Sequence, residues 1–292
     1  MDIVITYVDG NDPVWKQDYE KYTDIPVMEK RFRDWGTLKY LLRGIENNMP
    51  FIRNVFLVVS HLSQVPQWVN SDNLKIVLHE DIIPERYRPT FNSTVIEMFL
   101  HRIDGLDEEF LYFNDDIFPV LPCRADDFFR DGRAVTGMSK HLFATSMYKK
   151  HVRRSDRLAR ETLGCGSSLF YVRPQHACIP VLKSDAEKIH SMQREAVCLS
   201  LTRVRSDENL NMSLFLSYMY HQGKVIAARQ SCRHVSLAAA SISKVVGYIS
   251  SPERKLLCIN DVKLGEARYQ AYHDAIIEAF ESRFPVKSKF EK

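Results

Sequence analysis

Over its first half the chain alternates between two hydrophobic periods. Residues 2–8, DIVITYV, are β-branched and aromatic and stop at Asp9-Gly10, a turn signal. Past Asp34, which is placed to cap a helix, Leu38, Leu41, Leu42 and Ile45 recur at helical spacing. After Met49-Pro50, NVFLVVS reads as a second buried strand, and LKIVL at 74–78 as a third. Asn92 and Ser93 precede another helical set, Val95, Ile96, Phe99, Leu100 and Ile103, and FLYF forms a fourth strand. Strands separated by helices predict an α/β fold with a mainly parallel sheet flanked by helices.

The second half is less regular and more helical. Residues 181–193 and 207–221 read as helices and LLCIN as a short strand. Tyr269, Tyr272, Ile276 and Phe280 share one face of a helix stopped near Pro285, and the VKSKFEK tail beyond it is expected to be mobile. With no repeat, low-complexity linker or clear boundary, residues 1–292 are expected to form a single domain.

Composition narrows the class. At 292 residues, 45% hydrophobic and 26% charged, the chain has the profile of a soluble globular protein. Forty basic against 37 acidic side chains, a net charge of +3, make no case for nucleic acid as a partner. The six cysteines are widely spread without a C-x-x-C pair, so reduced thiols are expected. MDIVITYVDG lacks a basic leader segment and no apolar run is long enough to span a bilayer, so a cytoplasmic location follows by elimination. The basic segment through Lys149, His151, Arg153, Arg154, Arg157 and Arg160 is a solvated face or a contact for an acidic acceptor or the inner membrane surface.

Candidate chemistry lies where strands end. Asp9, Asp12, Asp115, Asp116 and Asp261 all follow apolar runs, the edge at which ligands bind in such sheets. Singly, each is a turn former or helix cap. Together, their hard oxygen ligands would suit Mg²⁺ or Mn²⁺ holding a diphosphate. Glu97 and His101, four apart, share a helix face that is either a surface ion pair or the edge of the same pocket. Arg31 and Arg33 precede a helix start, where guanidinium groups make an anion site or pair with Asp34. His176 is expected in a strand-to-helix loop, and Arg205 just before a helix, as a phosphate fork. Phosphate-binding loops of the G-x-x-x-x-G-K-[ST] type, G-x-G-x-x-G, G-x-S-x-G and H-E-x-x-H are all absent.

DIVITYVDGNDPVW, RFRDWGTLKYLLRGIENNMPFIRNVFLVVS with PTFNSTVIEMFLHRIDGLDEEFLYFNDDIF, then RPQHACIPVLKS with VRSDENLNMSLFLSYMY, and finally LLCIND, occur in order. This series resembles the Stealth family of sugar-phosphate transferases. The resemblance implies a Rossmann-like (GT-A-like) fold, with residues 1–135 binding a nucleotide sugar and 136–292 forming an acceptor and catalytic half. It implies transfer of a sugar 1-phosphate from a nucleotide-sugar donor, a UDP-N-acetylhexosamine, to a glycan acceptor, releasing UMP. Matched positions put catalytic roles on Glu97, Asp116, His176 and Arg205, and metal contacts on Asp115, Asp116, Asn260 and Asp261. Donor or acceptor contacts would fall on Tyr7, Val8, Asp9, Gly10, Asp12, Arg31, Arg33, Asp34, Asn92, Ser93, His101, Arg102 and Asn114. Tyr7 stands where Trp is common, and residues 120–170 match poorly. Two alternatives remain open at this point: a metal-dependent glycosyltransferase releasing UDP, and a non-catalytic carbohydrate-binding module.

Overall fold

The computed structural model describes residues 1–28 and 32–292; the expected anion contact at Arg31 lies outside the described residues. The four strands of the first half form as β1 (Asp2–Thr6), β2 (Val55–Val59), β3 (Lys75–Leu78) and β4 (Glu109–Asn114). β2 is buried along its whole length, which is why it is a continuous apolar run without alternation. Past a two-residue turn at Asp115-Asp116 comes β5 (Ile117–Pro119), followed by the short β6 (Phe129–Arg130) and β7 (Arg133–Val135). Then come β8 (Met138–His141), β9 (Tyr171–Pro174), β10 (Ile179–Leu182), β11 (Val225–Ile226), β12 (Cys232–Ser236) and β13 (Leu256–Asn260). The central sheet runs β10-β4-β1-β2-β3; it is mainly parallel, with β10 antiparallel to β4.

The chain divides into two compact units, Met1–Val4 with Val77–Tyr112 and Ala125–Gln230, and Ile5–Ile76 with Phe113–Arg124 and Ser231–Lys292. The chain passes from one to the other five times, three of them inside β1, β3 and β4, so no linker composition marks those crossings.

In the first unit, the helix Met147–Thr162 packs on the helix Ser213–His221 and on β9. Ser146 caps the former through the Lys149 amide. The latter starts later than the periodicity at 207–221 suggests, because Asn211 Oδ1 accepts from both the amide and the hydroxyl of Ser213. The expected helix after Asn92 is also shorter: Ser93–Glu97, then a 3₁₀ turn at Leu100–Arg102. Thr94, Val95 and Ile96 are β-branched and weak helix formers, yet the two pieces still bury Val95, Phe99, Leu100 and Ile103.

In the second unit, the helix Leu38–Asn48 buries Leu38, Leu41, Leu42 and Ile45, as its spacing predicts. Asp34 is not its cap. Its Oδ1 accepts the Gly36 amide at 2.9 Å in a turn where Gly36 has φ +65°, and Thr37 stands at the cap position. The carboxy-terminal helix Glu266–Arg283 buries Tyr272, Ile276 and Phe280, with Phe280 stacked on Tyr40 at 5.4 Å. The tail is not loose. Phe290 is buried, and Glu291 takes two hydrogen bonds of 2.8 Å from Arg43, so apolar and ionic anchors hold what charge density alone suggested was mobile. All six cysteines are free thiols. No helix among the described residues is long and apolar enough to cross a membrane.

Candidate active site

In the second unit β4 delivers Asn114, Asp115 and Asp116 to a turn, because apolar residues on both sides fill the sheet and leave the polar triplet at its end. Asp116 is held from three directions. Its carbonyl accepts the Ile259 amide at 2.9 Å, Oδ2 lies 3.6 Å from the Cys258 thiol, and Oδ1 is closed to solvent without a hydrogen-bond partner among the described residues. Burial pushes Asp115 up to about 8, with Asp116 and Asp34 adding repulsion. Burial also raises Asp116 to about 6. Two neighbouring carboxylates short of donors, one with an orphaned oxygen, fit a divalent cation bound by hard oxygen ligands.

Asp261, just past β13, is already engaged. Oδ2 accepts Trp35 Nε1 at 3.0 Å and lies 3.6 Å from an Arg33 nitrogen, while Oδ1 accepts the Val262 amide at 2.6 Å. The Arg33 guanidinium also sits 4.3 Å over the Tyr269 ring, so Arg33 is aligned by a carboxylate and an aromatic face. Asn260 turns its amide onto the Asp261 carbonyl at 3.2 Å.

The end of β1 forms a cleft of about 130 Å³ whose lining includes Tyr7, Asp9, Asp34, Gln64 and Trp68. Gln64 brackets the main chain of Asp9, accepting its N–H at 2.7 Å and donating to its carbonyl at 3.1 Å. Asp9 Oδ1 accepts the Asn11 amide at 2.8 Å. Tyr7 hydrogen-bonds Asp34, and burial among the Asp34, Asp9 and Asp115 charges drives the Tyr7 phenol far above its ordinary range. Gly10 is needed where it stands: a Cβ would meet the Phe32 carbonyl oxygen at 2.5 Å. Val8 lies between these residues on the strand exit. Asp12 serves as a helix cap, accepting the Trp15 amide at 2.7 Å ahead of Pro13–Tyr22.

The first unit holds a second polar cluster. Glu97 is 9% exposed; its Oε2 accepts the Met212 amide at 2.8 Å and its Oε1 the Ser93 hydroxyl at 3.2 Å. Tyr112 adds another hydrogen bond and Arg205 an opposite charge, yet burial still raises the carboxyl above its usual range. Arg205 donates to the Ser93 hydroxyl and remains exposed. Asn92 caps its helix through the Thr94 amide and reaches Asn209 Oδ1 at 3.1 Å. Asn209 in turn holds Ser200, Thr202 and Ser206, so the loop carrying Arg205 is pinned from within.

His101 and Arg102 do not join Glu97. The His101 ring lies 4.7 Å from His190 and 5.9 Å from Phe215, and Arg102 lies over Phe99, so the shared edge expected from i,i+4 spacing separates into two environments where the helix gives way to the 3₁₀ turn. His176 sits between β9 and β10, a strand-to-strand loop and not the strand-to-helix loop expected. It is exposed, with the Tyr148 ring 6.5 Å away. Tyr148 is 41% exposed, yet desolvation around its hydroxyl raises the phenol to about 12, with Arg173 pulling it down and the Glu97 charge adding to the rise. Sequence reasoning missed Gln64, Trp35, Cys258, Tyr112, Tyr148 and Asn209, all of which act through partners remote in sequence. Only Asn209 carries a local signal, as a polar residue between Ser206 and the next helix.

Residues 31–136 match the Stealth protein CR2 model, conserved region 2. A capsular polysaccharide phosphotransferase, WcwK of Streptococcus pneumoniae, is 30% identical over an aligned length of 332, covering 100% of this chain and 99% of the relative. The chain belongs to the Stealth family. A second relative of this Stealth chain, the capsular polysaccharide phosphotransferase fcs1 of Haemophilus influenzae, is 33% identical, covering 94% of this chain and 80% of its own. Conserved region 2 carries Asp34, Asn92, Ser93, Glu97 and the Asn114–Asp116 turn, so it contributes to both clusters of this Stealth chain. Among solved structures, the galactosyltransferase LgtC aligns over 99% of this chain and 98% of its own with a TM-score of 0.49 and 10% identity.

Proposed function

We propose that the chain transfers a sugar 1-phosphate, an N-acetylhexosamine 1-phosphate, from a UDP-sugar to a glycan hydroxyl in capsule or cell-surface polysaccharide synthesis. Family membership supports phosphotransfer. The observation that carries the reading is the carboxylate pair Asp115-Asp116 with its orphaned Oδ1, a site short of positive charge that a cation and diphosphate would complete.

The acceptor oxygen forms a bond to the β-phosphorus while the bond from that phosphorus to the bridging oxygen breaks, and UMP leaves. Asp115 and Asp116 would hold Mg²⁺ or Mn²⁺, which supplies charge neutralisation on the diphosphate. Asp261, already shared between Trp35 and Arg33, keeps the Arg33 guanidinium in place for an anion. Asp9, with its main chain bracketed by Gln64, would hold the nucleotide in the cleft at the end of β1. Arg205, exposed on its pinned loop, would meet the phosphate being transferred. Glu97 orients Ser93, which Arg205 also contacts, so its first effect falls on that arginine. His176 or Asp116 would accept the hydroxyl proton, with its exposure favouring His176.

The test is incubation with a panel of nucleotide sugars, Mg²⁺ and an oligosaccharide acceptor. UMP release with a new phosphodiester resonance in the ³¹P spectrum is expected. UDP release would replace the proposal with glycosyl transfer, and glycan retention without donor consumption would replace it with simple binding.

A further inference from the structure

Phe143 and Leu169 are 73% and 77% exposed and Phe170 is 50% exposed, where burial of each would be favourable. The first unit gathers them. β8 and β9 pair antiparallel from Met138 opposite Pro174 to His141 opposite Tyr171. The chain leaving β8 through Leu142 and Phe143 and the chain entering β9 through Leu169 and Phe170 therefore issue from the same end of the pair. The Tyr171 hydroxyl ties them, donating to the Phe143 carbonyl at 3.1 Å. Neither connecting segment, 142–146 or 163–170, contains an acidic residue.

Cations flank this tip. On the helix Met147–Thr162, Arg160 donates to the Gly166 carbonyl, and the other lysines and arginines fall into two sets. Lys150, Arg154 and Arg157 are already ion-paired with Asp207, Glu208 and Glu161. Lys149 and Arg153, one turn apart, have no carboxylate partner among the described residues. Their charges bear instead on the last ladder pair, Lys149 on His141 and Arg153 on Tyr171, and Arg173 of β9 acts on both.

An apolar tip alone would suit many partners; an apolar tip beside unpaired cations and free of acids selects a surface that is negative and has an apolar interior. A second copy of this face would bring like charges together. We propose that the end of the β8–β9 pair docks on an anionic phospholipid bilayer, with Phe143, Leu169 and Phe170 entering the interface and Lys149 and Arg153 meeting headgroup phosphates. The basic helix is then only half of the device, and the half that is ion-paired does not take part.

Flotation with vesicles tests it, using phosphatidylcholine alone and phosphatidylcholine doped with phosphatidylglycerol, at low and high salt. The full chain is expected to float with the anionic vesicles only, and less at high salt. The triple variant Phe143→Ser, Leu169→Ser, Phe170→Ser should lose at least about tenfold in partitioning, and Arg153→Glu about fivefold or more, with melting curves like the parent's. Failure of the parent to bind anionic vesicles, or undiminished binding by both variants, overturns the proposal. So does a triple variant that converts a dimer to a monomer in solution without changing flotation, which would make the tip a self-association surface.

Discussion

Asn92 and Asn209 meet amide to amide at 3.1 Å, joining the cap of the helix Ser93–Glu97 to the loop that carries Arg205. The bond is buried, and Asn209 spends its remaining capacity on Ser200, Thr202 and Ser206. A side chain with this many loop partners sets the position of everything between them.

Asn209→Ala is therefore expected to cost about 2–4 kcal/mol of stability, since several buried groups lose their partner together. In the fraction still folded, kcat should fall about 10- to 100-fold through misplacement of Arg205. Urea melts combined with active-site titration separate the two effects. A variant with parental kcat would show that the loop holds its place without this residue.

Asp115→Asn and Asp116→Asn test the cation site by setting activity against stability. Each should lower turnover by about 10³-fold, the scale for removing a group that stabilises transferring charge. Without divalent cations, Asp115→Asn should melt no lower than the parent, because the change removes one of two half-buried, mutually repelling carboxylates. Thermal melts with and without Mg²⁺ decide: the parent should gain stability from the ion and the variant should not. A parent melt indifferent to divalent cations would remove the metal from the reading.

His101 and His190 predict a pH dependence of stability. Burial and nearby positive groups hold His101 down to about 3 and His190 to about 4. His101 Nδ1 and His190 Nε2 have no hydrogen-bond partner among the described residues, so no acceptor rewards protonation there. Their folded values lie below the ordinary unfolded value of about 6.5, so the unfolded chain takes up protons that the folded chain refuses. Their contribution is full above about pH 6.5 and is lost as the pH falls towards 4. Between pH 7 and pH 5 the parent should lose about 3–4 kcal/mol from this pair, and His190→Phe about half as much. Equal slopes for the two proteins in urea melts against pH would contradict the assignment.

Arg43 and Glu291 anchor the carboxy terminus by two parallel hydrogen bonds of 2.8 Å, with side chains 5% and 4% exposed. Glu291→Ala leaves a buried guanidinium with Glu281, the Phe284 carbonyl and the Tyr40 ring, and should cost about 3–5 kcal/mol. Chemical denaturation measures it. A loss under about 1 kcal/mol, typical of an exposed pair, would return the tail to the mobile state that its composition suggests.

The strands were legible because their burial demands continuous apolar runs, and β1, β2, β4 and β13 start and stop within a residue or two of those runs. The helix of Tyr272, Ile276 and Phe280 was legible for the same reason, since one buried face leaves one periodic stripe. Helix starts were less so. Asn92 and Asp12 cap helices, but Asp34, an equally good candidate by type, folds back on Gly36 instead. The tail misled because composition counts charges and does not see that Glu291 meets Arg43.

By itself, the sequence determined four of the central sheet's five strands, the placing of Asp9 and Asp115-Asp116 at strand ends and the family, because these depend on local pattern and residue order; β10 fell partly inside the helix expected at 181–193. Only the tertiary structure decided which of those carboxylates are already satisfied. Asp12 caps a helix and Asp261 holds Arg33, whereas Asp116 keeps an oxygen without a partner among the described residues. The tertiary structure also placed Glu97 on the Met212 amide and His101 against Phe215. The reason is physical: whether a buried polar atom is satisfied depends on groups brought up from distant parts of the chain, and neither spacing nor composition encodes their approach.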